Sequence, residues 1–385
     1  MELIARPDTD PALAPLLGEA GIRVLGRDEI PLLTLAELDR AAPAAPVALK
    51  SGLWPGISRG PAVKGRGDET ASASREPWVD ANGFWIAYLR PLYPRRAAMV
   101  APQPPADRIV PFDSVELALI EARVYGGNCI LTFETRYREA LVRKDARALA
   151  ALADLRRTAA WLDRNEKLFQ QPAFPTVTAL VEPGLPTAEI ANLLFRRNAS
   201  PALAPAADPP PPDPARILAL VAANLRPPAP ALRDRILAHA AAGATVVTTS
   251  FSGPQPDRRE TDRDFYKLGK GRIVAYRRTI SDPSEFALDV IDAVTHARRA
   301  VRLWNAPAVI ARGGVAPGGG ALLHAINYGS PIDIEFPARI QGRFSRAEWL
   351  RPDAPTLNLP TAQRGTTTEV AIPALKRVGF VYFRS

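Results

Sequence analysis

Residues 111–134, PFDSVELALIEARVYGGNCILTFE, constrain the fold of this chain more than any other stretch. Asp113, followed three residues later by Glu116, predicts a capping box at the start of a helix. Gly126 and its neighbour Gly127 end that helix, because leaving a helix commonly requires a positive φ. The apolar run that follows predicts a buried strand with Glu134 at its carboxyl end. The stretch is one helix-to-strand step of an α/β sheet or barrel, a fold that keeps its chemistry at the carboxyl ends of its strands.

The length and composition predict a multidomain protein that does not cross a membrane. The chain has 385 residues, enough for two or three domains, and 47% of them are hydrophobic. No apolar run approaches the ~18 residues of a membrane span, and the N-terminal residues lack the pattern of a signal peptide. As written, the sequence predicts a cytoplasmic protein; an exported one is predicted instead if a signal has been removed.

The cysteine and histidine content predicts no disulfide, no protein-built metal site and no cofactor. Cys129 is the only cysteine and falls inside the predicted buried strand, where it serves as a small hydrophobic residue. The histidines, His239, His296 and His324, have no ligand spacing. We expect His324 to be a structural histidine with its hydrogen bonds satisfied.

The net charge of +9 raises the question of nucleic-acid binding. Arginine supplies most of the excess and is spread along the chain in pairs with acids close by, such as Arg156-Arg157 and Arg298-Arg299. No RNA-binding motif, helix-turn-helix signature or basic tail accompanies these pairs. Charge alone is a weak indicator, so the sequence argues against a nucleic-acid partner.

The prolines that interrupt helices and strands, together with the hydrophobic periodicity, divide the chain into three segments, 1–171, 176–299 and 301–385. In the first, the predicted strands are Glu2–Ala5, Ile22–Leu25, Val47–Leu53, Phe84–Leu89 and Ala97–Val100, besides the strand of residues 128–133. Its other predicted helices are Pro11–Glu19 and Asp145–Phe169. A long polar stretch covers residues 54–77, and a loop of that length is usually functional or disordered.

Strands separated by helices predict a parallel, doubly wound sheet in the second segment. The predicted strands are Val177–Val181, Ile217–Val221, Thr245–Thr249 and Gly271–Tyr276, and the helices are Thr187–Arg197, Ala231–Ala242 and Pro283–Arg298. The third segment alternates apolar and polar residues and predicts a small antiparallel β-sandwich. Its predicted strands are Ala321–Asn327, Ile332–Phe336, Ala338–Phe344, Thr367–Ile372 and Gly379–Arg384.

Several phrases of the sequence resemble the glycoside hydrolase clan that includes the family 42 β-galactosidases. They are VEPGLPTAEIANLLFRRN, AHAAAGATVV and GKGRIVAY in the second segment, and LLHAINYGSPIDI at 322–334. The first segment is similar more loosely, through EPWVDANGFW and the helix-glycine-strand step. The resemblance covers roughly the last 210 residues, by the extent of those phrases.

This resemblance implies an α/β multidomain protein. Residues 1–171 would form a partial or degenerate (β/α) barrel, since a complete one needs ~250 residues. Residues 176–299 would form a flavodoxin-like, amidotransferase-like domain of the trimerisation type, and residues 301–385 a β-sandwich. The middle domain implies a homo-oligomer. It lacks the cysteine elbow of an amidotransferase at Ser250–Gly253, which favours a non-catalytic, structural layer.

Glycoside hydrolysis needs two carboxylates on either side of the scissile bond. The candidates are Glu134 and, as its partner, Glu76 or Asp80. The sugar-binding candidates are Trp54, Trp78, Asn82 and Trp85, because aromatic faces stack on pyranoses and amides bind hydroxyls. The Asn-Glu pair that marks the acid/base in this clan is absent, since Asn128 and Glu134 are too far apart to match it.

Each candidate also has a structural interpretation. Glu134 is equally suited to capping the following helix or to pairing with Arg136 or Arg138. Asp80 and Asn82, before Gly83, form an ordinary turn, and Trp85 is typical of a core residue. The position of Glu121 in the middle of the predicted helix favours a surface or salt-bridged role for this residue.

Three functions are therefore open. The first is a glycoside-hydrolase-like protein that cleaves a carbohydrate with Glu134 and Glu76 or Asp80. The second is a non-catalytic relative that binds carbohydrate or serves assembly. The third is an arginine-rich module that binds a polyanion.

Overall fold

The structure, a computed structural model, describes most of the chain. The described residues are 2–6, 11–26, 29–38, 40, 47–51, 53–57, 78–94, 98–103, 110–249, 251, 253, 255–280, 283–295 and 297–385. Among them, no helix has both the length and the apolar character needed to cross a bilayer. Glu76 and His296 lie outside the described residues.

The first layer is built around a parallel sheet. Its elements are β1 (Leu3–Ala5), α1 (Ala14–Glu19), β2 (Ile22–Val24), β3 (Leu32–Leu33), α2 (Leu35–Leu38), β4 (Val47–Ser51), β5 (Gly56–Ile57), β6 (Val79–Asp80), α3 (Gly83–Leu92), β7 (Ala98–Pro102), α4 (Ser114–Val124), β8 (Asn128–Leu131), α5 (Thr135–Val142), α6 (Ala146–Arg164) and α7 (Glu166–Phe169). Six strands pair in parallel in the order β2-β1-β8-β7-β4-β3, and β5 pairs with β6 alone. One apolar cluster takes side chains from the six strands or the residues beside them: Ile4, Leu25, Leu32, Ala48, Met99 and Ile130.

The second layer is a seven-stranded sheet with helices on both faces. Its elements are β9 (Val177–Val181), α8 (Leu185–Arg196), β10 (Ala202–Pro205), β11 (Ala219–Ala222), α9 (Pro230–Ala242), β12 (Thr245–Thr249), β13 (Arg258–Arg259), β14 (Arg263–Leu268), β15 (Gly271–Tyr276) and α10 (Pro283–Val294). The order is β10-β9-β11-β12-β15-β14-β13, parallel from β10 to β15 and antiparallel beyond. Separate apolar clusters lie on its two sides, one with α8 and α10 and the other with α9.

The third layer consists of two antiparallel sheets that share a core. Its elements are β16 (Val301–Leu303), β17 (Val309–Val315), β18 (Ala321–Asn327), β19 (Phe336–Gln341), β20 (Arg346–Arg351), β21 (Ala354–Leu359), β22 (Ala362–Arg364), β23 (Thr367–Ile372) and β24 (Val378–Arg384). The sheet orders are β16-β19-β23-β22 and β17-β18-β24-β20-β21. Phe336, Trp349 and Phe383 are among the side chains buried between them.

The first and third layers share one continuous core. Leu322 of β18 and Phe380 of β24 belong to the same apolar cluster as α4 and α6. Arg312 of β17 is buried and donates hydrogen bonds to the carbonyl oxygens of Val124 and Gln171. The contact is therefore extensive and includes fixed polar links.

Two strand predictions are wrong. Residues 84–89 lie in the helix α3, because a short, wholly apolar run does not distinguish a strand from a buried helix. Ile332–Phe336 is mostly irregular; Ile332 makes one bridge to Leu375, and Phe336 begins β19. The strands at 177–181, 245–249, 271–276, 321–327 and 367–372 are confirmed with the predicted bounds.

The predicted capping box of α4 is also wrong, although its glycine stop is confirmed. Asp113 is the N-cap residue but makes no cap hydrogen bond with its side chain; its carboxylate accepts from Arg377 instead. Glu116 is buried and accepts from the Thr158 hydroxyl, and burial raises the pKa of its carboxyl group. Gly126 has φ +82°, and a Cβ on Gly127 would lie 2.4 Å from the Ala98 carbonyl oxygen. Both glycines are therefore required by the tight passage into β8.

Candidate functional site

A cavity of about 870 Å³ lies at the carboxyl ends of β3 and β4. Its lining comes from the residues that end or follow these strands, from the start of α3 and from the start of α8: Thr34, Leu35, Ala36, Arg40, Leu49, Lys50, Ser51, Leu53, Phe84, Trp85, Gly184, Leu185 and Glu189. Because the six strands run in parallel, the carboxyl ends of β3, β4 and β8 share one edge of the sheet. Ligand sites in α/β folds occur at this carboxyl edge.

The cavity combines an aromatic wall with a few charged groups. The rings of Phe84 and Trp85 have centroids 4.5 Å apart, and Trp85 is half-buried. Leu185 also lines the cavity, and its side chain is 66% exposed. Lys50 and Glu189 supply opposite charges to the lining. Apolar surface with a few convergent polar groups is typical of small-molecule sites.

The helices α3 and α8, which both contribute to the lining of the cavity, are tied together through Tyr88. This residue lies one turn after Trp85 in α3, and its side chain is fully buried. Its hydroxyl donates to the carbonyl oxygen of Glu182 at 2.5 Å and accepts from the backbone N–H of Gly184 at 2.9 Å. Gly184 is the N-cap residue of α8. The start of α8 is thus held against α3.

Glu121 positions the start of α3 from a neighbouring helix. Its Oε2 accepts from the backbone N–H groups of Asn82 and Gly83 at 2.7 and 3.3 Å, and from the Tyr328 hydroxyl at 3.0 Å. These backbone donors are among those that a helix cannot satisfy itself. Glu121 is completely buried, so its expected surface position is wrong. Burial raises the pKa of Glu121 to about 7, against the opposing effect of its hydrogen-bond donors.

Asn82 occupies a buried junction beside the cavity. Its side-chain amide donates to the Leu53 carbonyl oxygen at 3.2 Å, and its Oδ1 accepts from the Ser51 hydroxyl. Gly83 follows because a Cβ there would lie 2.4 Å from the Tyr125 ring. The Asn82 carbonyl oxygen accepts from the Trp85 backbone N–H at 2.9 Å, so Asn82 positions Trp85 although it is absent from the described lining of the cavity.

Glu134 caps a helix. It is the N-cap residue of α5, and its carboxylate accepts from the backbone N–H groups of Arg136 and Tyr137 at 2.8 and 2.9 Å. The capping interpretation is therefore confirmed. Glu134 follows β8, and β7 lies between β8 and β4 in the sheet. The strands β8 and β4 are therefore two strand spacings apart, which is roughly 10 Å. Glu134 is not part of the described lining of the cavity, and its catalytic role stays a prediction.

Asp80 and Trp78 meet at Arg196, near the end of α8. The Asp80 carboxylate lies 3.5 Å from an Arg196 nitrogen, and the Arg196 guanidinium lies 4.4 Å from the centroid of the Trp78 ring. The Arg196 side chain is only 7% exposed, and burial lowers its pKa. Among the described residues, Asp80 and Glu134 take part in separate sets of contacts.

Of the four predicted sugar-binding residues, Trp85 lines the cavity. Trp54 packs against the core of the first layer, and its buried indole N–H has no hydrogen-bond partner among the described residues. Sequence reasoning missed Glu121, Tyr328 and Glu189. A signal for Glu121 existed: α4 is apolar on nearly all sides, and a helix of that kind is buried together with its charges.

His239 and His324 are both buried, in different surroundings. An imidazole nitrogen of His239 lies 2.9 Å from the Pro210 carbonyl oxygen. His324 packs against Phe169 and Phe380, and neither of its ring nitrogens has a hydrogen-bond partner in the described part of the chain. The expectation that its hydrogen bonds are satisfied is therefore wrong, and burial lowers its pKa to about 3. The described residues contain no group of three potential metal ligands.

Comparison with known proteins gives structural neighbours and no sequence match. No family model matches the chain, and no curated protein matches its sequence. The structure is similar to a catalytic mutant of Gan42B, a GH42 β-galactosidase from G. stearothermophilus (TM-score 0.51, 11% identity, 100% of this chain and 63% of that one). It is also similar to the β-galactosidases from Bacillus circulans sp. alkalophilus (TM-score 0.50, 11% identity, 90% and 65%) and the psychrophilic Marinomonas ef1 (TM-score 0.50, 11% identity, 97% and 66%). The chain thus spans less than two thirds of the length of each neighbour. It has a GH42-like, multidomain α/β fold, and the resemblance inferred from the sequence is confirmed at the level of the fold.

Proposed function

We propose that this chain is a glycoside-hydrolase-like protein that binds a carbohydrate in the cavity at the carboxyl edge of the six-stranded sheet. The observation that carries the proposal is the position of Trp85 in the wall of that cavity. An indole face can cover the C–H face of a pyranose, and Lys50 and Glu189, which also line the cavity, would bind its hydroxyl groups. The similarity of the fold to β-galactosidases supports a galactoside as the first ligand to test.

The proposal includes a shortened (β/α) barrel in residues 1–171. The sheet order β2-β1-β8-β7-β4-β3 follows the chain order of these six strands around a ring, with β2 and β3 as its open ends. A complete barrel has eight such strands. A flavodoxin-like domain in residues 176–299 and a β-sandwich in residues 301–385 complete the proposed arrangement, and assembly through the middle domain stays a prediction that the mass in solution tests.

Binding has stronger support than hydrolysis. Glu134 is engaged at a helix start and Asp80 with Arg196, while Glu189 is the only carboxylate in the described lining. Two-carboxylate hydrolysis by Glu134 with Glu76 or Asp80 remains the second function, supported by the β-galactosidase fold. Nitrophenyl glycosides, assayed with the wild type and Glu134→Gln at equal folded concentration, test it; turnover by the variant equal to wild type would exclude Glu134.

Calorimetric titration with a panel of galactosides and other neutral glycosides tests the binding. We expect Trp85→Ala to weaken binding about fivefold or more, because an aromatic contact with a ligand contributes about 1–3 kcal/mol. Leu185→Ser should weaken it several-fold without unfolding, since this side chain is 66% exposed.

The matched control is Trp304→Ala, which removes a half-buried tryptophan outside the cavity and should leave neutral-sugar binding unchanged. Equal affinities of the wild type and both cavity variants for every ligand bound would refute this site. No binding by the folded wild type across the panel would refute a neutral carbohydrate ligand.

A further inference from the structure

Three polar side chains of α8 form a row that leads inward from the cavity. Glu189, Asn192 and Arg196 follow one another at spacings of three and four residues, which places them on one face of the helix. Glu189 lines the cavity and is exposed, whereas Asn192 is 4% exposed and the Arg196 side chain 7%. Pairs at this spacing are common on exposed helix surfaces, but the two buried members of this row must find their hydrogen bonds inside the protein.

The Arg196 guanidinium fixes the orientation of the Asn192 amide. Arg196 Nε donates to Asn192 Oδ1 at 2.9 Å. Because a guanidinium has only donors, the amide oxygen must face Arg196 and the amide NH2 must face the other way. Asn192 Nδ2 accordingly donates to Glu189 Oε2 at 3.1 Å. The Glu189 carboxylate is therefore held by a donor whose direction is set inside the protein.

Residues outside α8 hold the buried end of the row. An Arg196 nitrogen, Nη2, lies 3.5 Å from the Asp80 carboxylate, and the guanidinium lies 4.4 Å from the centroid of the Trp78 ring. The other terminal nitrogen, Nη1, is buried and has no hydrogen-bond partner among the described residues. The positive charge of Arg196 lies against Asn192 Oδ1, where it polarises the amide and strengthens the hydrogen bond to Glu189.

This arrangement leaves Glu189 an acceptor for a ligand. Its Oε2 is engaged with Asn192, and its Oε1 accepts no hydrogen bond from any residue that the structure describes. An ionised carboxylate only accepts hydrogen bonds, so its partner in a ligand must be a donor. In a neutral sugar that donor is a hydroxyl group, and a hydroxyl donates more strongly to a carboxylate than to a neutral acceptor.

We propose that Asn192 is a positioning residue of the carbohydrate site, which holds Glu189 so that its Oε1 accepts from one hydroxyl group of a neutral sugar. Arg196 orients Asn192, and Asp80 and Trp78 contribute by holding Arg196. The inference rests on the proposed carbohydrate cavity and adds to it the residues that discriminate sugars by their pattern of hydroxyl groups.

Methyl galactosides, glucosides and mannosides and their monodeoxy derivatives, titrated by calorimetry, test the role of Glu189. We expect the wild type to bind one monodeoxy ligand about tenfold more weakly than its parent, because a hydrogen bond to a charged group is lost. Glu189→Gln should bind the parent about tenfold more weakly and should distinguish it far less from that deoxy ligand. The matched control is Glu166→Gln, which removes another helical glutamate that accepts from a side-chain amide, that of Gln170, outside the described lining of the cavity. It should keep the wild-type affinities.

Asn192→Asp separates positioning from folding. The variant keeps the shape of the side chain and an oxygen for Arg196, so it should fold, but it puts a second carboxylate beside Glu189 in place of a donor. We expect the parent glycoside to bind about fivefold or more weakly and to be distinguished less from the deoxy ligand. The double variant Asn192→Asp/Glu189→Gln should bind no more weakly than Glu189→Gln, because Asn192 acts through Glu189. A purely structural role for Asn192 would weaken the parent and the deoxy ligand by the same factor, and that result would overturn the proposal.

The outcomes distinguish this inference from the proposed function. Wild-type affinity in Glu189→Gln, together with weakened binding by Trp85→Ala, would overturn the roles of Glu189 and Asn192 and leave the carbohydrate cavity supported. No binding of any glycoside by the folded wild type would overturn both.

Discussion

Glu121 occupies the place of a helix cap for α3 although it belongs to α4. It takes two backbone donors at the start of α3 and the hydroxyl of Tyr328, which follows β18. Its second oxygen, Oε1, has no hydrogen-bond partner among the described residues, and the carboxyl group is removed from water. Desolvation disfavours the charged form, so the acid retains its proton to a higher pH than usual.

The raised pKa of Glu121 predicts a stability that falls with pH. The folded state binds the proton more tightly than the unfolded state, whose carboxyl has a pKa near its ordinary value of 4.5. The resulting stabilisation is complete below about pH 4.5 and is lost as the pH rises to about 7, a change on the order of 3 kcal/mol. Glu121→Gln should remove this component from the free energy of unfolding, measured with urea between pH 4.5 and 7.5.

Two variants serve as comparisons. Glu139 is an exposed acid of α5. In Glu139→Gln the free energy of unfolding should therefore change with pH as it does in the wild type. Tyr328→Phe removes a donor that lowers the pKa of Glu121. The decline of the free energy of unfolding in this variant should therefore extend to a higher pH. A wild-type slope in Glu121→Gln would contradict the assignment.

At the scale of single elements, α5 shows how a sequence motif at a strand end serves a local structural purpose. Glu134 takes the backbone donors of Arg136 and Tyr137. Asp145 does the same at the start of α6, where it accepts from Arg147 and Ala148 at 2.9 and 3.1 Å. The two acids are therefore equivalent as caps.

We expect Glu134→Ala and Asp145→Ala to lower the free energy of unfolding by about 1 kcal/mol each, the usual value of an N-cap. Glu134→Ser should recover most of the loss, because serine also caps helices. Chemical denaturation measures all three. Unchanged stability in Glu134→Ala together with lost turnover of a glycoside would show that catalysis, and not capping, is its function.

Elements with a strong local pattern were predictable. The β-branched run of β12 and the glycine that ends α9 identify those elements from local propensity alone. The helix α3 was not predictable, because its segment FWIAYL is apolar throughout. The residue that caps it, Glu121, lies 38 residues after Gly83 in the chain. Non-local contacts of this kind leave no trace in a window of sequence.

At the scale of the whole molecule, the first and third layers are held together by a shared aromatic core. The Phe380 ring of β24 lies 5.4 Å from Trp161 and 6.0 Å from Phe169, measured between centroids, and Phe380 is completely buried. The general class of the fold followed from the order of helices and strands. The cavity could not be predicted from that order. The helices α3 and α8 meet there through contacts between residues about 100 positions apart, such as Tyr88 with Gly184.

Phe380→Ala should destabilise the first and third layers together. Loss of a buried phenylalanine costs about 3–5 kcal/mol, and amide hydrogen exchange should rise in α6 as well as in β18. The control, Phe286→Ala, removes the same side chain from the core of the seven-stranded sheet and should act mainly on α10. Exchange that rises in β18 while α6 keeps its wild-type protection would show that the two layers unfold independently.

The hydrogen bonds of Tyr88 have a consequence for ligand selection. Trp85 and Leu185 both line the cavity, and the Tyr88 hydroxyl joins the two helices that carry them at the start of α8. The relative position of α3 and α8 at the cavity is therefore fixed before any ligand arrives, and a ligand gains no affinity by moving these two helices. Such a site is pre-organised and discriminates by size: bulkier ligands should be rejected abruptly, and ligands that fit should bind without a slow closing step.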